Sequence, residues 1–153
     1  MIKSIPSKSY GFTLIELIVV IGIIGILATF AIPKFETTVD NFKLSIACEQ
    51  IARHILIARE RAVSESKTIR IVFDLDSKNS YQVLNSIQGI KYTLPSGITF
   101  CYTNFPSNTV EFYPSGVPSQ GGTIAIKGKS KSLYVIVTPV TARVRISNSP
   151  PAN

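Results

Sequence analysis

Hydrophobic and polar positions change their period twice along the chain. From Phe12 to Ile32 the residues are apolar, with one charge, Glu16, and no proline. As a helix rising about 1.5 Å per residue, this run covers about 30 Å, the thickness of a bilayer's hydrocarbon core. From Phe35 the apolar positions fall at three- and four-residue steps: Phe35, Val39, Phe42, Ile46, Ile51, Ile55, Ala58 and Ala62, with Ala47 filling one wider gap. That spacing predicts an amphipathic continuation of the same helix to about Ser66, its apolar stripe packed on a sheet. Pro33 lies inside the pattern, and the pattern continues past it, so the helix is expected to bend there and go on.

After Lys67 the period drops to two. Ile69, Ile71, Phe73 and Leu75 alternate with more polar neighbours, the signature of a half-buried strand. Asp76-Ser77-Lys78-Asn79 reads as a turn into a returning strand at Tyr81–Leu84. Further short strands are predicted at Lys91–Leu94, Ile98–Tyr102, Thr109–Tyr113, Thr123–Lys127, Leu133–Thr138 and Ala142–Ile146, punctuated by Pro-Ser-Gly and Gln-Gly-Gly turns. Strands this closely spaced, with no helix between them, imply antiparallel sheets. The expected fold class is α+β: one long N-terminal helix with an antiparallel β domain on its second half. The expected divisions are 1–11 as a leader, 12–32 as a transmembrane half-helix, 33–66 as the amphipathic half, 67–147 as the β domain and 148–153 as a flexible tail.

Charge adds an orientation. The formal net charge is +7, and it is unevenly placed. Lys3 and Lys8 precede the apolar run, bases and acids balance between Pro33 and Ser66, and bases dominate afterwards. Lysines ahead of an apolar span favour a cytoplasmic N-terminus, which puts the β domain outside the cytoplasmic membrane. In that compartment Cys48 and Cys101 can form a disulfide; the alternative is two separate buried thiols.

The apolar run admits three readings. A signal peptide has an apolar region of about 7–15 residues followed by small residues at a cleavage site; this run is longer and ends in Thr29-Phe30-Ala31. A plain anchor fits the length but leaves Glu16 unexplained, since an acid within an apolar span costs a few kcal/mol without a partner. The third reading comes from Gly11-Phe12-Thr13-Leu14-Ile15-Glu16 followed by the apolar run, which resembles the leader of type IV pilins and pseudopilins. The resemblance implies that a prepilin peptidase cuts after Gly11 and methylates the new N-terminal Phe12. It also implies that Glu16 pairs with the N-terminus of an adjacent subunit during assembly, and that Pro33 is the helix-bending proline of many pilins. Two later segments resemble the GspH/FimT-type minor pseudopilins: Phe112-Tyr113-Pro114-Ser115-Gly116 and Thr141-Ala142-Arg143-Val144-Arg145-Ile146. Ala142 departs from that pattern, which has glycine there.

Catalytic chemistry is not legible. One histidine (His54, expected in a surface or capping role) and two distant cysteines give no metal-ligand spacing, so no metal and no cofactor is expected. Asp74 and Asp76 lack the glycine and closing glutamate of a calcium loop and read as turn residues. The remaining functional signal is basic. No acid follows Glu111, whereas Lys127, Lys129, Lys131, Arg143 and Arg145 do. If the strand runs past Gly128, the three lysines share one face, as the two arginines share another, making a stripe that could bind DNA. The alternative is a solvated face or a contact with acidic neighbours. The sequence therefore points to a structural filament subunit, not an enzyme. Its expected partners are the prepilin peptidase, other pilin-like subunits and the membrane, with DNA as the alternative partner.

Overall fold

The computed structural model describes residues 11–85 and 89–151, leaving aside the side chains of 30–34. Lys3 and Lys8 lie outside the described residues, as does the side chain of Pro33. The chain divides into two units, Met1–Glu36 and Thr37–Asn153. Helix α1, Leu14–Ser64, contributes its first part to the former and the rest to the latter, and it continues through Pro33 as the pattern required.

Within Thr37–Asn153 the strands follow in chain order: β1 Ile69–Asp74, β2 Ser80–Leu84, β3 Gly89–Thr93, β4 Thr99–Thr103, β5 Thr109–Phe112, β6 Gly122–Lys127, β7 Ser132–Val137 and β8 Val144–Ser147. They form two four-stranded sheets, β3-β2-β1-β5 and β4-β6-β7-β8, and every pairing is antiparallel. The inward residues alternate as the period of two demands: Ile69, Ile71 and Phe73 on β1, Ile124 and Ile126 on β6, Leu133, Val135 and Val137 on β7. They form one buried cluster with a stripe of α1.

That stripe differs from the expected one over its first half. Leu44, Ala47, Cys48, Ile51, Ile55, Ala58 and Ala62 are fully buried, whereas Phe42 and Ile46 are 66% and 54% exposed and Phe35, in the first unit, is 70% exposed. The periodicity was satisfied by two registers of the same helix, and the sheets cover the one with the smaller residues. Small side chains let the sheet backbones approach the helix. Each buried isoleucine or leucine then removes apolar surface worth roughly 1.5–3 kcal/mol.

An aromatic group joins α1 to the first sheet. Nδ1 of His54 lies 2.7 Å from the Tyr81 hydroxyl, and the His54 ring lies 4.1 Å, centroid to centroid, from that of Tyr92. Tyr81 stacks on Tyr92 and meets Phe100 of the other sheet edge-on. His54 is thus a bridging residue and not the surface or capping group expected. Burial first, and the charge of Arg53 second, push its pKa below the usual histidine value, which favours the neutral ring in this hydrogen bond with the tyrosine hydroxyl.

The end of α1 is closed by backbone hydrogen bonds from Lys67 N–H to the Ala62 carbonyl and from Ser66 N–H to the Val63 carbonyl. This is a Schellman cap, and Ser66 holds its left-handed position at φ 51°. A non-glycine residue is strained there. Replacing exposed Ser66 with glycine is expected to stabilise the domain by about 0.5–1 kcal/mol, read as a raised denaturant midpoint with an unchanged slope.

Candidate functional site at the N-terminal helix and the basic sheet edge

The first unit presents the motif Gly11–Glu16 at the start of α1. Gly11 and Phe12 precede the helix; a Cβ built on Gly11 would meet nothing within 4 Å, and Phe12 is 82% exposed. Thr13 is the helix's N-cap. Its carbonyl accepts the first helical bond, from Leu17 N–H at 3.2 Å, and its Oγ1 accepts the Glu16 N–H at 3.3 Å. Glu16 therefore sits in the first turn, where an acid is favoured by the positive end of the helix. Around it Leu14, Ile15, Leu17, Ile18 and Val19 are all exposed, so among the described residues this start of the helix is apolar on every side and uncovered. The hydroxyl of Thr29 bonds to the Gly25 carbonyl at 3.0 Å and adds no unsatisfied polar group. Among the described residues no helix is long and apolar enough to cross a membrane; the run expected to do so, 12–32, ends among residues whose side chains lie outside the description.

The basic residues of the second unit do not form the expected rows. β6 stops at Lys127, and Gly128 N–H donates to the Lys131 carbonyl at 2.9 Å, closing a tight hairpin. Lys127, Lys129 and Lys131 thus lie on a strand end and a turn, not on one strand face. A Cβ built on Gly128 would meet Ile98 and Leu44 at 3.5 Å, ordinary contact distance. Nζ of Lys129 pairs with Asp40 at 3.3 Å, and Ser130 Oγ bonds to Asn41 Oδ1 at 3.1 Å. The hairpin tip is thereby fastened to α1. Lys131 lines a groove of about 270 Å³ with Ser45, Glu49 and Ile146.

Arg143 and Arg145 are both exposed on the outer edge of the second sheet, in and just before β8. The turn leading to them is strained. Val140 and Ala142 have φ of 68° and 53°, and Thr138 N–H bonds to the Arg143 carbonyl at 2.9 Å. Ala142 is also fully buried. The glycine usual in the resembling family would relieve the backbone strain that alanine accepts here, at the loss of a buried methyl.

The segment Phe112–Gly116 is a dock for α1. Phe112 is fully buried, Gly116 has φ of 76°, and its carbonyl accepts Arg59 Nε–H at 3.1 Å. A Cβ on Gly116 would come within 2.9 Å of Val63, so close approach and backbone conformation both require glycine.

Cys48 and Cys101 are free thiols. Cys48 faces the core from α1, where burial pushes its thiol up to about 12, while Cys101 faces outward on β4 next to inward-facing Phe100. The disulfide reading is corrected by that alternation. The Asp74 carboxylate is used by its own turn. It accepts N–H bonds from Asp76 and Ser77 and hydroxyl bonds from Ser77 and Ser80. These donors, the Ser77 hydroxyl foremost, pull its pKa down to about 2 from a usual 3.8.

Comparison with known proteins places this geometry. Residues 6–32 match the prokaryotic N-terminal methylation motif, and residues 47–147 match the model of the type II transport protein GspH. The chain belongs to the GspH family. It carries the N-terminal methylation motif ahead of its GspH domain. This GspH-family chain is 33% identical to the fimbrial protein EcpC of Eikenella corrodens over 77% of its length and 73% of the relative's. It is 26% identical to the competence protein ComGD of Bacillus subtilis over 80% of its length and 82% of the relative's. Its fold is similar to that of the minor pseudopilin EpsH of the Vibrio cholerae type 2 secretion system, with a TM-score of 0.56 over 69% of this chain and 97% of that one. The type IV minor pilin FimU of Pseudomonas aeruginosa also gives 0.56, over 68% and 92%.

The Asp74 turn supplies a test of fold energetics at this domain. Its pKa is lowered on folding, so its contribution is present above about pH 4 and is lost as pH falls towards 2. Asp74→Ala is expected to lower the melting temperature at pH 7, with the gap from wild type closing between pH 4 and pH 2 in a thermal-melt series.

Proposed function

We propose that the chain is a minor pseudopilin held first in the cytoplasmic membrane, with its N-terminus inside and its β domain outside. In this reading a prepilin peptidase cuts between Gly11 and Phe12 and methylates the Phe12 amine. The helix 12–32 then leaves the lipid and packs against neighbouring pilin-like subunits in a type II secretion or type IV pilus filament. The observation that carries the reading is the uncovered, all-round apolar start of α1, headed by one exposed acid. Water cannot be the resting solvent of such a surface, and lipid or neighbouring helices can be. Gly22, Gly25 and Ala28 supply small surfaces for close helix approach. Glu16 sets the register by pairing with a neighbour's Phe12 amine, a charge-assisted contact in an apolar surround. Pro33 shapes the helix at the end of the run. The chain catalyses nothing itself in this reading. Glu16→Ala is expected to leave cleavage intact and abolish incorporation; mutant subunits found at wild-type level in sheared filaments would sink it.

A second reading is favoured by the two exposed arginines at the β8 edge and by similarity to a protein named for competence. In it Arg143 and Arg145 contact DNA phosphates, and Lys127 and Lys131 extend the positive field while Lys129 remains tied to Asp40. Full-length protein in detergent, titrated with duplex DNA across a salt series, tests it. Binding should weaken steeply with salt, and Arg143→Ala with Arg145→Ala should reduce the log–log slope by about 2. Absence of binding at low salt leaves the first reading alone.

A further inference from the structure

The Gly11–Phe12 bond lies two residues ahead of an N-cap held by two hydrogen bonds of Thr13, and Gly11 and Phe12 are open to solvent or to another protein. We infer that Thr13 is a positioning residue for leader removal: by fixing the helix start at Leu14, it keeps the Gly11–Phe12 bond outside the helix, where a peptidase can take it. The inference rests on the processing reading above, which the match of residues 6–32 to the methylation motif supports independently of the geometry.

The physical argument is a competition between two helix starts. A peptide bond inside a helix has its groups committed to helical bonds and its flanking side chains splayed around an axis; a peptidase must first open it. Thr13 is one residue of N-cap type near the bond; Ser7, Ser9 and Gly11 precede it, and Ser9 is the nearer of the two serines. A helix capped by Ser9 would begin at Tyr10 and enclose Gly11 and Phe12 in its first turn. Nothing in the apolar run opposes that extension, because helix growth adds a bond for each residue fixed. What opposes it is the cap on Thr13, helped by Gly11, a poor helix former. Thr13 also fixes Glu16 at the third helical position, where the acid is favoured only if the helix starts at Leu14.

The step itself is amide hydrolysis. The oxygen of water joins the Gly11 carbonyl carbon, the carbon–nitrogen bond breaks, Gly11 leaves as a carboxylate and both protons of the water pass to the Phe12 nitrogen, which becomes an ammonium. Thr13 does not touch the reacting atoms. It acts through the conformation of the two residues before it.

The test uses full-length precursor in membranes carrying a prepilin peptidase, with leader loss followed over time on gels. Wild type is expected to be cut. Thr13→Ala is expected to be cut roughly three- to tenfold more slowly, the rate equivalent of losing a threonine cap. Thr13→Asn, which caps without a hydroxyl, is expected to return the rate to near wild type. Ser9→Ala, neutral by itself, is expected to restore much of the rate when combined with Thr13→Ala, because the competing start is removed. In detergent micelles the Cα chemical shifts of Gly11 and Phe12 should move towards helical values in Thr13→Ala alone. Wild-type and Thr13→Ala precursors cut at one rate would overturn the inference and leave the processing reading standing. Thr13→Asn as slow as Thr13→Ala, with Thr13→Ser normal, would also overturn it, since the peptidase would then be reading the hydroxyl. An uncut wild type would overturn the processing reading, and the inference with it.

Discussion

Two sheets share one face of one helix, and that face must be narrow. Ala47 on one side and Ala58 and Ala62 on the other flank Ile51 and Ile55 along it, and all five are fully buried. The alanines let the sheets close on the helix, and the isoleucines fill the space the sheets leave. Most other features of the domain serve this approach. Gly116 permits the Phe112–Gly116 segment to lie against Val63, the aromatic group of His54, Tyr81 and Tyr92 seals one flank, and the β6–β7 hairpin tip is tied to Asp40 and Asn41 at the other end. Larger residues on the stripe would push the sheets apart and expose several inward rows at once.

The same helix carries two kinds of surface. In Thr37–Asn153 one stripe is buried with the strands; in Met1–Glu36 the described apolar residues from Phe12 to Leu27 are exposed. A soluble protein avoids so large an uncovered apolar area, and its presence is the physical content of membership in a filament-forming family. Between Phe12 and Ile32 there is one charge, the acid Glu16, placed by a threonine cap at the end of the helix where its field is favourable.

Much of this was legible in the sequence. The second change of period fell where α1 gives way to β1, and all eight strands overlap their expected positions; the alternation is clearest on β1, where Ile69, Ile71 and Phe73 point inward. The leader was legible as a motif rather than as physics. What the pattern could not decide was the helix register. Phe42 and Ile46 are as apolar as Leu44 and Ala47, and only the volume available beneath the sheets separates them. The three lysines misled because alternation was carried across Gly128, which ends the strand. Aromatic partners of His54 were invisible for another reason: Tyr81 and Tyr92 come together with it only through the pairing of β2 with β3. The departure at Ala142 was readable as a difference, and the left-handed backbone explains why glycine would sit there.

The bond from Ser130 to Asn41 joins residues separated by 89 positions. Loop closure over such a span is entropically unfavourable until the intervening strands are in place. The first turns of α1 in the second unit are thus fastened late in the life of the chain, after the ribosome has delivered the β6–β7 hairpin. During synthesis the segment next to the apolar run remains unclasped, and it becomes part of a finished domain only when the distant hairpin arrives.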